Sequence, residues 1–205
     1  LNEATFRRCT SLTSVTMPRK IGNIRSYVFQ DCTSLTTVVF QDMDTPVSTG
    51  NYTFDGCTKL QTVETPLYLI GIASFRNCVS LKGLDLPDKV TIIQATAFQN
   101  CQSIEKMVLP VSLRTIGDSA FIDCVAMDSV ISNVEKPFAF GKDAFKGISD
   151  KCVLIVPYGK KADYIAAGWT EEVFKGGIKE MPEPEGIHSV KVKIYIHDGR
   201  KVRME

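Results

Sequence analysis

The chain has 205 residues, 44% hydrophobic and 23% charged, a balance that suits a folded globular protein long enough to bury a core. With 24 Lys and Arg against 23 Asp and Glu, it lacks the basic excess of nucleic-acid or anionic-membrane binders. No apolar run approaches the ~20 residues of a membrane-spanning helix. The opening LNEATF lacks an initiator Met and already lies inside a repeated phrase, so the natural N-terminus is expected upstream.

The repeated phrase dominates the first three quarters of the chain. It is marked by Phe6, Phe29, Phe54, Phe75, Phe98, Phe121 and Phe145, spaced by 23, 25, 21, 23, 23 and 24 residues. Three residues after each Phe stand Cys9, Cys32, Cys57, Cys78, Cys101 and Cys124, with Ile148 in the seventh copy. Six residues after it the column reads Leu12, Leu35, Leu60, Leu81, Ile104 and Met127. Nine after it the column is Val15, Val38, Val63, Leu84, Met107, Val130 and Leu154. Pro18, Pro66, Pro87, Pro110 and Pro157 close five of the copies, and Ile24, Ile70, Ile93 and Ile116 precede the Phe by five residues. A unit this short cannot bury its own apolar side, so equivalent residues must stack into one continuous core, which predicts a solenoid. LTSVTMP reads as a short strand, Val15 and Met17 inward and Ser14 and Thr16 outward.

The cysteines form a column of one small apolar side chain per coil. A disulfide ladder is disfavoured because the total of seven is odd and Ile148 fills the same place in the last copy. A Ser there would bury a hydroxyl with no assured partner. Zinc is excluded by the lack of any CxxC and by both histidines, His188 and His197, lying outside the repeats.

The pattern IGxxAFxxCxxLxxVxLP resembles the BspA-like, or Treponema pallidum-type, leucine-rich repeat over residues 1 to about 157. VLIVPYGKKADYIAAGWTEEVFKGGIKE resembles endings common in such proteins of Bacteroidetes. The resemblance implies a right-handed leucine-rich-repeat coil, β-rich, of about seven ~23-residue repeats. It further implies a protein at the cell surface or secreted, with adhesion to extracellular-matrix proteins. Three copies depart from the pattern. VSTGNYTF replaces the aliphatic-Gly opening before Phe54, Asn133 stands for Pro, and Lys151 occupies the Leu column of the seventh copy.

Past the repeats, KKADYIAAGW predicts a short helix with Ala162, Ile165, Ala166 and Trp169 on its buried side, capping the open end of the stack. MPEPEG reads as a linker. SVKVKIYIHDGRKVRME reads as a half-buried strand, Val190, Val192, Ile194 and Ile196 on one face, leading into a hairpin turn at Asp198-Gly199. The expected organisation is therefore a solenoid at 1–157, a cap at 158–181, and a linker with a partial β-hairpin tail at 182–205.

Catalytic signals are sparse. With no His in the repeats there is no Ser-His or Cys-His pair, and no phosphate loop, dinucleotide fingerprint or HExxH motif occurs. Asp42 and Asp44 read as solvated turn residues, and Asn51-Tyr52-Thr53 matches a glycosylation sequon. We expect no enzyme, no cofactor and no metal. The outward residues of the strands offer a ribbon to a partner, and Thr37, Thr62, Glu64, Asp85 and Lys106 are its candidate ligand-binding residues. The expectation is a monomeric, non-enzymatic binding module for an extracellular protein or glycan. The alternative is a structural spacer or display stalk within a larger surface protein.

Overall fold

Each copy of the phrase closes one turn of a coil, and seven turns stack in register as a β-solenoid. This computed structural model describes residues 1–19, 22–40, 47–64, 67–184, 195–197 and 200–202. In chain order the elements are β1 (Ser14–Met17), β2 (Thr37–Phe40), β3 (Val47–Ser48), β4 (Thr62–Glu64), β5 (Leu67–Ile70), β6 (Ile92–Ile93), β7 (Lys106–Leu109), β8 (Thr115–Ile116), β9 (Ser129–Ser132), β10 (Val153–Val156), α1 (Lys161–Ala166), β11 (Ile178–Glu180), β12 (Tyr195–His197) and β13 (Arg200–Val202).

One side of the coil is the expected strand face. It is parallel throughout: β1-β2-β4, then β7-β9-β10-β11. Register keeps the columns intact, with Val15 beside Val38 and Val38 beside Val63, then Met107 beside Val130 and Val130 beside Leu154. Strand β11 extends the column beyond the seventh copy, setting Ile178 beside Leu154. A second parallel sheet, β3-β5-β6-β8, runs along another side. It buries Ile24, Ile70, Ile93 and Ile116, so the aliphatic column before each Phe is a second strand face that the alternation in LTSVTMP gives no hint of. The irregular VSTGNYTF copy keeps its place there. Thr49 bridges Ile24 and is 2% exposed, and its hydroxyl accepts the Gly71 N–H at 2.8 Å. The Gly that follows the aliphatic residue is steric: a Cβ on Gly117 would lie 2.5 Å from the Ala95 nitrogen of the preceding coil.

The third side carries the phenylalanines. In each of the first six coils, the N–H groups of the Phe and of the residues two before and two after it donate to carbonyls of the next coil. The distances run from 2.7 to 3.1 Å, as from Ser119, Phe121 and Asp123 to Lys142, Ala144 and Lys146. Turning all three donors the same way requires left-handed backbone at both flanks of the Phe. Asp31, Asn77, Asn100 and Asp123 take it at φ near +60°, as do Gly56 and Gly147 at slightly larger values. Before the Phe, residues poorly suited to this conformation are held in it, among them Tyr27 at +61° and Thr96 at +54°. The seven rings stack with centroids 5.1 to 5.4 Å apart. Each fully buried ring contributes roughly 1.5–3 kcal/mol.

The cysteines are free thiols, and Cys32, Cys57, Cys78, Cys101 and Cys124 are buried as the column predicts. They are more than space fillers. Each donates its S–H to the Phe carbonyl of the coil before it, as Cys101 does to Phe75 at 3.0 Å and Cys124 to Phe98 at 3.2 Å. The partner missing from the sequence reading of a buried Ser is therefore present. Cys9, in the first coil described, is exposed.

The helix α1 is real but turned over relative to expectation. Ala162, Ile165 and Ala166 face solvent, with Ile165 44% exposed, and Tyr164 is the helix residue that is buried. Six residues are too few for an amphipathic stripe to decide the orientation. Polar anchors decide it instead: the Tyr164 hydroxyl meets Ser132 Oγ at 2.5 Å and donates to the Val134 carbonyl at 2.8 Å. Trp169 closes the stack as expected. It is fully buried among Phe138, Phe140, Phe145, Tyr164 and Phe174, and its indole N–H donates to the Phe138 carbonyl at 2.7 Å. In the tail, β12 and β13 pair antiparallel, consistent with a hairpin. Its turn, Asp198-Gly199, and the strand residues before Tyr195 lie outside the described residues.

The thiols yield the first prediction. Native protein should label at about one cysteine, Cys9, with the other six reacting only on unfolding. Cys101→Ser, which keeps a donor for the Phe75 carbonyl, should cost about 1 kcal/mol in urea denaturation and Cys101→Ala about 2. Native labelling of several cysteines would contradict the buried ladder.

A pH dependence follows from the same column. Burial pushes the Cys32 thiol up to about 11 and those of Cys124 and Cys152 up to about 12, and it raises Cys78 and Cys101 well above the ordinary value of 9.0. These acids are held neutral by the fold, whereas the unfolded chain loses their protons first. Stability is thus fully present below about pH 9 and should fall progressively as pH rises through about 11 to 12. A denaturation midpoint unchanged between pH 8 and 11 would refute it.

The cap gives a third. Trp169→Ala should cost about 3–5 kcal/mol and expose the apolar end of the stack, read as a lower melting temperature with concentration-dependent aggregation.

Candidate functional site

The strand face is interrupted at its centre. The segment Gly83–Leu86 occupies the fourth coil's strand position, yet it is not a strand, and the sheet divides there into β1-β2-β4 and β7-β9-β10-β11. Among the described residues no backbone hydrogen bond of Gly83–Leu86 reaches either neighbour; the last contact is a long one, Lys82 N–H to the Gln61 carbonyl at 3.5 Å. Leu84 stays 7% exposed, so the core column runs through the break while the hydrogen-bond ladder does not.

A cleft of about 560 Å³ opens at this break. Gly83 leaves a notch in the outward row between Thr62 and Lys106, with Val63 and Leu84 beneath it and Lys82 and Asp85 at its sides. Three of the candidate residues, Thr62, Asp85 and Lys106, therefore line one cleft. Thr37 lies on the adjoining strand, paired in register with Thr62. The backbone of Glu64 pairs with Val39 on the same face, and its side chain is outside the described residues. Asp85, Lys82 and Lys106 make no ion pair among the described residues, so two cations and one carboxylate face solvent without internal partners.

A second constellation was not anticipated. Asp55, 4% exposed, accepts from Arg76 Nε at 2.9 Å and Nη2 at 2.7 Å and from Gln30 Nε2 at 3.0 Å. The Arg76 guanidinium also lies 5.3 Å from the Tyr52 ring centroid, Tyr52 stacks on Tyr27 at 5.1 Å, and Arg7 covers Tyr27 at 5.6 Å. Hydrogen bonding to Asp55 raises the Arg76 pKa further. The residues that follow each Phe (Arg7, Gln30, Asp55 and Arg76) carry the signal for this cluster. Asp55 is satisfied by Gln30 and Arg76 from the coils on either side, which makes the cluster a clamp between coils, and Gln30 Oε1 is its one buried side-chain atom without a partner among the described residues.

The sequon residues are likewise committed to the coil. Thr53 is fully buried with its hydroxyl on the Gly50 carbonyl at 2.8 Å, and Asn51 Oδ1 accepts the Ile72 N–H at 3.2 Å. Asp42 and Asp44 lie outside the described residues. Among the described residues, no group of three or more His, Cys, Asp and Glu side chains is placed to hold a metal ion, and no helix is long and apolar enough to cross a membrane.

Comparison with known proteins agrees with this architecture. The leucine-rich repeat protein of T. pallidum superposes with a TM-score of 0.61 at 26% identity, over 82% of this chain and 85% of that one. A leucine-rich repeat protein from Bacteroides ovatus superposes with a TM-score of 0.54 at 21% identity, over 84% of this chain. This chain spans about 55% of the length of the B. ovatus protein. None of the curated proteins matches. The family model for the BspA type leucine rich repeat region matches in six copies over residues 1–73 and 68–159, and the chain belongs to that family.

Proposed function

We infer that this chain is a non-enzymatic binding module of a surface or secreted protein, engaging an extracellular protein or glycan through the strand face. The observation that carries the reading is the cleft at Gly83, where a stiff repeat scaffold offers a notch flanked by charges that make no ion pair among the described residues. Repeat folds bind macromolecules along one extended face, because in-register side chains present many weak contacts at once. Thr37, Thr62, Glu64, Asp85 and Lys106 form the proposed contact surface, with Lys82 added by its place beside the notch. A ligand edge carrying both signs fits best, a carboxylate toward Lys82 and Lys106 and a hydroxyl or amine toward Asp85 and Thr62.

The test fills the notch. A Cβ on Gly83 would meet only the Lys106 carbonyl oxygen, at an ordinary 3.7 Å, so the backbone there accepts a side chain that points into the cleft. Ligands found on an array of glycans and matrix proteins should bind at least tenfold more weakly to a combined T62R/G83Y/D85K variant. Its unfolding free energy should move by no more than about 0.5 kcal/mol. Equal binding by the variant, at unchanged stability, would leave the strand face without a contact role and favour a spacer or display stalk.

A further inference from the structure

The ladder on the phenylalanine side repeats six times and then stops with its donors unused. Counting from the Phe, the N–H groups at −2, 0 and +2 of each coil meet the carbonyls at −3, −1 and +1 of the next. In the seventh coil those donors are Asp143, Phe145 and Gly147, and none of them has an acceptor among the described residues. Asp143, Phe145 and Gly147 all border one open cleft, so their unpartnered N–H groups are available to an incoming carbonyl. The cleft measures about 430 Å³, and its apolar part is formed by Phe140, Ile148 and Val173.

We propose that this edge of the seventh coil docks an extended peptide segment of a partner protein, held by backbone hydrogen bonds from Asp143, Phe145 and Gly147. Each preceding coil demonstrates the chemistry of the occupant: three carbonyls on alternate residues, spanning five positions. Main-chain bonding of this kind supplies affinity, and the side-chain spaces supply selectivity. Those spaces are narrow. The residue that gives the middle carbonyl is Val28, Thr53, Ser74, Ala97, Ala120 or Ala144 in the six observed cases, always small and fully buried. The residue before it has a positive φ in every coil, which favours Gly. The residue after it is Phe within the solenoid. Here the cap already covers the ring position, Phe174 lying 5.1 Å and Trp169 5.7 Å from the Phe145 ring, so this residue too must be small. The same obstruction excludes a whole further coil, including one from a second copy, because its ring has no place to stack. The occupant is a strip of backbone with a Gly-small-small centre.

The probe is the blocked heptapeptide Ac-Ser-Lys-Gly-Ala-Ala-Lys-Ser-NH2, which reproduces the strip at residues 142–146 with Gly at its left-handed position and Ala in place of the ring. It is titrated into the full ¹⁵N-labelled chain. The amide protons of Asp143, Phe145 and Gly147 should move downfield and exchange at least tenfold more slowly. Trp in place of the first Ala should weaken binding at least tenfold, as should Val173→Arg in the protein, and the G83Y strand-face variant should bind the peptide normally. Unperturbed amides at millimolar peptide, or equal binding of the Trp peptide, would overturn the proposal. Slow exchange of these three amides in the free chain would also overturn it, whether the protection rises with concentration or not, since the edge would then already be covered by a second copy or by the chain's own tail.

Discussion

The one-way hydrogen bonds of the phenylalanine side are the constraint on which the rest of the coil depends. Every second N–H there must reach the next coil, and this fixes both the coil spacing and the pair of left-handed residues around each Phe. Rings carried on backbone so spaced have to stack, which is why Phe recurs where another apolar residue would satisfy hydrophobicity alone. The Phe carbonyl accepts the N–H three residues on, as from Cys101 to Phe98, and it also receives the thiol of the following coil. Cys suits that place because it is small and apolar yet carries a donor. The left-handed residues store local strain of about 1–2 kcal/mol each at positions such as Thr96, and the cooperative ladder holds them there.

Much of this was legible in the sequence because columns are a statement about shape. Where Phe, Cys, Leu and Val recur at fixed offsets, each must meet its own kind in the neighbouring turn, and the strand register follows. The second sheet was hidden because it is two residues wide in places, as at Ile92–Ile93 and Thr115–Ile116, too short for alternation to register. The left-handed backbone was hidden because Tyr27, Thr96 and Ser119 have no preference for it; only the tertiary ladder selects it. The face of α1 was misjudged because Tyr164 carries both a ring and a hydroxyl, and its hydrogen bonds to Ser132 and Val134 outweigh three small apolar side chains. Of the candidate site, the outward direction of Thr62, Asp85 and Lys106 could be read from alternation. The break that gathers them into a cleft could not, since a single Gly in an LxxLxLP phrase does not announce a lost strand.

The coil thus divides its labour between sides. The ring side and the clamp around Asp55 hold successive turns together through continuous contacts. The strand side tolerates an interruption at Gly83–Leu86 because Leu81 and Leu84 still fill their columns beneath it. Substitutions on the outward row therefore meet little structural resistance, whereas those in the ring or thiol columns alter every neighbouring turn. That asymmetry lets recognition vary while the scaffold stays fixed.

The direction of the ring-side ladder has an electrostatic consequence. Each peptide unit is a dipole of about 3.5 D, and on this side all the inter-coil N–H groups point toward the cap and all their acceptors point away from it. Dipoles so aligned add along the axis as they do in an α-helix, leaving partial positive charge at the end where Asp143, Phe145 and Gly147 stand. The polarity belongs to the ring side alone, because inter-coil N–H groups on the other sides, such as those of Thr36, Gln94 and Gly117, point away from the cap.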